Sequence, residues 1–230
     1  VSRVKDAMRA GLEEFGDRVA EVKPKLRGWL HLATAPLTLA AGIVLIALSP
    51  DAPTRLAAAI YTLSAVLLFS ISAVFHRGRW SPRVEAVLQR FDHANIFLLI
   101  AGSYTPFTFL LLDGMDRTIL LTVVWVGSAL GVLFRIFWVG APRWLYTGIY
   151  IGLGWAAAFY FPVFVSTAAT SVLVLMIVGG VLYTLGGIVY GLRRPDPSPR
   201  WFGFHEVFHS FTIAAFVVHY VGISIATYSR

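Results

Sequence analysis

The sequence contains no cysteine. Disulfides and thiolate metal ligands are therefore excluded, and a transition metal would have to be held by His, Asp or Glu. Redox chemistry gives no hint of compartment. Charge is scarce as well: 13% of the 230 residues are Asp, Glu, Lys or Arg, against about 25% in a soluble domain. No lysine follows Lys25, which removes the last-span lysine that a retinal protein requires. No ring of charged or polar residues recurs across several apolar runs, so a simple channel lacks support. The first 27 residues are polar and charged and hold no apolar core of the kind a cleavable signal peptide needs.

What fills the space is apolar. Hydrophobic residues make up 57% of the chain, and mean hydropathy is +0.73. One soluble domain cannot hide that much apolar surface, so the bilayer is the expected solvent. A spanning helix needs about 20 apolar residues. Seven such runs are predicted, at Gly28–Ser49, Thr54–His76, His93–Leu112, Thr118–Val139, Leu145–Val165, Ser171–Leu192 and Phe204–Ala226. Proline, glycine and aspartate separate them, as in Ser49-Pro50-Asp51, Leu112-Asp113-Gly114, Gly140-Ala141-Pro142 and the stretch from Pro195 to Pro199. The expected fold is thus an all-α bundle of seven transmembrane helices occupying residues 28–230. Residues 1–27 repeat apolar positions at helical spacing (Val4, Met8, Leu12, Phe15, Val19, Val22) and are predicted to form an amphipathic helix on the membrane surface.

The net charge of +7 would suggest nucleic acid in a soluble protein. Here the basic residues sit at the ends of apolar runs, where topology and anionic lipid account for them; no nucleic-acid partner is expected. The N-terminal segment carries Arg3, Lys5, Arg9, Arg18, Lys23, Lys25 and Arg27. The second connection has Arg77, Arg79, Arg83 and Arg90, the fourth Arg135 and Arg143, and the sixth Arg193, Arg194 and Arg200. The alternate side holds only Arg55, Arg117 and Arg230. The positive-inside rule therefore predicts a cytoplasmic N-terminus and an external C-terminus, in a multi-pass protein of the inner (plasma) membrane.

That topology gives several histidines one depth. His76 ends the second run at the cytoplasmic side, Asp92 and His93 begin the third there, and His205 and His209 begin the seventh. His205 and His209 are four residues apart, hence on one helix face about 6 Å apart along the axis. With His76 they form a candidate three-imidazole site for one metal ion, zinc above all, leaving a fourth position open to water or substrate. Asp92 is a candidate to orient or deprotonate a water at the metal; the alternative is a residue near a helix start held by the dipole. Ser72, one turn before His76, can bond a ligand, a water or a substrate carbonyl, or its own backbone. His31 and His93 are reserve candidates at the same depth. His219 lies about 15 Å deeper than His209 and cannot share the ion.

The segments Lys25 to His31, Ser72-Ala73-Val74-Phe75-His76, Phe91-Asp92-His93, Ala101 to Pro106 and His205-Glu206-Val207-Phe208-His209 together resemble the bacterial hemolysin III family. That family is related to the progestin and adipoQ receptors, adiponectin receptors included, and to alkaline ceramidases. The resemblance implies seven helices with the N-terminus inside. It further implies zinc on residues matching His76, His205 and His209, an aspartate beside it matching Asp92, and a serine matching Ser72. It also brings an association with cytolysis and membrane-lipid homeostasis. Lys25 to His31 stands where many relatives carry an acidic and asparagine motif.

The leading expectation is a zinc-dependent hydrolase of a lipid amide or ester, ceramidase-like, with membrane lipid as its surroundings and a lipid as substrate. His205 to His209 also spells the HExxH of metalloproteases, with Glu206 as base. A third expectation is a non-enzymatic, receptor-like lipid sensor, or a cytolysin, with structural zinc.

Overall fold

In a computed structural model of the chain, residues 24–138 and 140–229 are described; most of the predicted amphipathic segment, residues 1–27, lies outside them. All secondary structure among the described residues is helical apart from one isolated bridge between Ser198 and Phe202. Among the described residues, seven helical segments are long and apolar enough to cross a membrane: Trp29–Leu48, Ala52–Arg77, Pro82–Leu111, Gly114–Phe137, Arg143–Thr167, Thr170–Leu192 and Phe204–Tyr228. They are called the first to seventh spans below.

Local chemistry sets their limits. Ser49 Oγ donates back to Leu45 O at 2.8 Å as the first span ends. Asp51 then caps the second, accepting from Thr54 N at 2.8 Å, with proline in the first turn. Such a side-chain acceptor satisfies one of the amides a helix start leaves open. Pro82 opens the third span, where its missing N–H costs nothing.

Two elements differ from the sequence expectation. The third helix begins at Pro82, eleven residues before His93. The apolar-run criterion stops at the charges of Arg83, Glu85 and Arg90, but no residue between 83 and 92 breaks a helix, so the backbone continues. At 30 residues it is about 45 Å long, and its first turns reach past a hydrocarbon core about 30 Å thick. The fifth span is also not one helix. It is α-helical over Arg143–Gly154, a 3₁₀ helix over Ala156–Tyr160, and α-helical again over Phe161–Thr167. Tyr104 of the third span covers the break: its hydroxyl donates to Gly154 O at 2.7 Å and accepts from Ala157 N at 2.9 Å. Irregular backbone at membrane depth needs such internal partners, because lipid offers none.

The third span is the most buried of the seven and the fifth the least. The sixth and seventh spans pack on each other most extensively, followed by the second on the third and the first on the second. The main core joins Tyr61, Phe69, Leu99, Phe107, Phe216 and Ile223. One end of the bundle collects the basic connections: the turn before Trp29 and the segments after Arg77, Phe137 and Leu192. Backbone bonds from Lys25 N to Arg200 O and from Leu26 N to Trp201 O tie the chain ahead of the first span to the approach to the seventh.

Candidate metal centre

At this basic end the second and seventh spans bring three imidazoles together. His76, His205 and His209 each offer a ligand atom, and these atoms lie within 4.8 Å of one another. The Nε2 atoms of His76 and His205 are 3.1 Å apart, and the ring centroids of His205 and His209 are 4.5 Å apart. His209 Nδ1 is buried without a partner. A buried cluster of nitrogen donors with an unspent lone pair suits a divalent cation of imidazole preference. The three residues expected from the sequence are the three the fold unites.

Asp92 joins them from the third span. Its Oδ2 lies 3.8 Å from His76 Nε2 and 4.0 Å from His93 Nδ1. Because the helix starts at Pro82, Asp92 sits in its third turn, beyond the reach of the N-terminal dipole, which acts within the first turn. Helix electrostatics therefore do not explain a carboxylate here. Ser72 is buried and its hydroxyl approaches the Asp92 carboxyl without closing a hydrogen bond of ordinary geometry.

The reserve histidines separate. His93 Nδ1 donates to Gln89 O at 2.7 Å, which leaves Nε2 to accept from the Tyr190 hydroxyl at 3.0 Å. Both its nitrogens are committed, and it stands outside the cluster. His31 is the fourth imidazole of the site. Its ring stacks on His209, with centroids 3.7 Å apart and planes 15° from parallel, and its edge meets Phe69. It is 2% exposed and neither nitrogen has a partner. The only sequence signal for this was depth. His219 is remote from the cluster, between Phe107 and Tyr183.

Glu206 does not behave as the base of a metalloprotease. It is fully buried, paired with Arg27 Nε at 2.5 Å, and its Oε2 accepts from Gly203 N at 2.8 Å. The carboxylate locks the start of the seventh span to the residues before the first, and the HExxH spelling marks a helix-start clamp. Gly28 completes this frame. Its φ of +80° and a neighbour 2.8 Å from any added Cβ, namely His76 Cβ, demand glycine.

The site opens into a cavity of about 550 Å³. His31, Ser72, Asp92 and His209 line the end nearest the histidine cluster, and the rest runs between the third, fifth, sixth and seventh spans among side chains such as Ile100, Phe164 and Met176. The broken fifth span borders it at Gly154, Trp155 and Ala157. The chamber is thus largely apolar, with polar side chains grouped where it meets the histidine cluster.

Fold and site define a multi-pass membrane protein with a buried histidine cluster able to hold a metal ion. The chain belongs to the haemolysin-III related family, whose match covers residues 19–220. It is similar to a hemolysin-3 homolog of Bacillus subtilis, with 30% identity over 154 residues, covering 67% of this chain and 69% of that one. Similarity to hemolysin-3 of Bacillus cereus is 33% over 131 residues, or 57% of this chain and 59% of that one. An adiponectin receptor protein of Drosophila melanogaster is 29% identical over 187 residues, covering 71% of this chain and 41% of the fly protein.

Proposed function

We propose that the protein is a zinc-dependent hydrolase of a lipid amide or ester, working at the cytoplasmic leaflet of the cell's inner membrane. The observation that carries this reading is the meeting of three imidazoles beside the Asp92 carboxylate, with Asp92 and His209 also lining a largely apolar cavity. His76, His205 and His209 would hold the ion. Zinc, when bound, supplies Lewis-acid polarisation of the scissile carbonyl and a more acidic water.

The remaining work falls to the chain. The cavity aligns the lipid's hydrocarbon along its apolar walls, so that the amide or ester arrives at the polar end and bulk water is kept from the chamber. Asp92 takes a proton from the attacking water and returns it to the leaving amine or alcohol. Ser72 donates its hydroxyl hydrogen to the carbonyl oxygen as charge develops there. His31, with both nitrogens uncommitted, presents a further hydrogen-bonding edge to the polar part of the substrate. The site's position at the basic end matches entry from the inner leaflet, where the positive-inside rule places that end.

A second reading is a receptor-like lipid sensor with structural metal. It is favoured by the name of the Drosophila relative, a receptor. The two readings part on turnover. Zinc-loaded protein in lipid nanodiscs, offered ceramide-like amides and phospholipid esters, should release fatty acid, and Asp92→Asn should stop it. Zinc loading without any release by the wild type favours the sensor.

A further inference from the structure

The cavity has a second polar place, far from the histidine cluster. His219 lies ten residues beyond His209 on the seventh span, about 15 Å deeper. Its Nε2 sits 3.3 Å from Met176 O. A carbonyl only accepts, so that nitrogen carries the hydrogen and Nδ1 is left with a lone pair; Nδ1 is buried and has no partner. The Tyr183 ring stands 5.5 Å from the His219 ring, and its hydroxyl is also buried without a partner. Thr108, fully buried, is the third such group. All three residues line the same cavity as Asp92 and His209.

Thr108 is informative by contrast. Ser103, Thr105 and Thr212 also lie in these spans, and each returns its hydroxyl to the carbonyl one turn back, the usual way a membrane helix settles such groups. Thr108 does not. The fold also makes room for the His219 ring: a Cβ on Gly179 would collide with it. Unpaired polar atoms such as these three, at membrane depth, are costly unless something pairs with them.

We propose that the deep end of the cavity recognises a hydroxyl group carried partway along a long lipid chain whose head lies at the histidine cluster. A hydroxyl fits because it both donates and accepts: it donates to His219 Nδ1 and accepts from Tyr183 or Thr108. A plain methylene segment satisfies none of them. The inference rests on the reading of the cavity as a lipid-chain site and adds which chains it selects.

The test is a displacement assay on the full-length, zinc-loaded protein. Stearic acid and a series of its positional hydroxystearic isomers compete against a fluorescent long-chain fatty acid. Affinity should peak for isomers hydroxylated in the distal part of the chain, about threefold to tenfold above stearic acid. His219→Phe and Tyr183→Phe should each flatten the series while stearic acid binds as before; Thr108→Val is the smaller companion change. Tight binding of stearic acid with a flat wild-type series overturns this inference alone, the outcome if the three groups hold only water. Failure of every acid to compete overturns it together with the lipid-chain reading of the cavity.

Discussion

The Nε2 atoms of His76 and His205 face each other across 3.1 Å, although 129 residues separate them in the chain. At that distance one ring's N–H can donate to the other's lone pair, or a cation can take both lone pairs. The second and seventh spans are thus joined at their basic ends by a direct imidazole–imidazole contact, and His209 and Asp92 complete its surroundings.

Asp92 should be separable from metal binding. Asp92→Asn keeps the shape and leaves the three imidazoles in place, so zinc content is expected to match wild type while lipid hydrolysis falls by about 10²–10⁴-fold, the usual worth of a positioned base. Ser72→Ala should cost less, about threefold to tenfold, as one hydrogen bond does. Metal analysis alongside fatty-acid release checks both.

His93 should be dispensable for metal. Its nitrogens are occupied by Gln89 O and the Tyr190 hydroxyl, so His93→Gln is expected to retain zinc at the wild-type ratio. A fall in zinc content would bring His93 back among the ligands.

The Arg27–Glu206 clamp should appear in stability. Arg27→Ala leaves a fully buried carboxylate without its cation, which costs about 3–5 kcal/mol when one partner of a buried pair is removed. Thermal unfolding in detergent should show the loss, and the double replacement Arg27→Met with Glu206→Gln should recover part of it. Catalysis per folded molecule should survive Glu206→Gln, whereas a metalloprotease base would not allow that.

Gly28→Ala should weaken zinc binding from outside the ligand set. It places a side chain at positive φ, at about 1–2 kcal/mol, and drives its Cβ into His76 Cβ. Lower zinc affinity with the helical content intact is the expected result, read by metal competition and circular dichroism.

Much of this was legible in the sequence, because bilayer thickness and the positive-inside bias leave few ways to arrange seven apolar runs. That arrangement put His76, His205 and His209 at one depth, and helix periodicity put the last two on one face. The errors fell where length and hydropathy stop being informative. The third helix runs on through charged residues to Pro82, and the fifth breaks at Trp155 because Tyr104, on another span, can satisfy the freed backbone. The stacking of His31 on His209 and the pairing of Arg27 with Glu206 are contacts across the whole chain, which no local period encodes. Glu206 shows the hazard of a short motif: the letters of HExxH were present, but the carboxylate was already spent.

The most direct measurement is zinc per chain in purified wild type, His76→Ala, His205→Ala and His209→Ala. One tightly held zinc is expected in the wild type, with each single replacement losing most of it while the seven-helix bundle stays folded. Wild-type protein that takes up no zinc, or replacements that hold zinc as well as the wild type does, would contradict it.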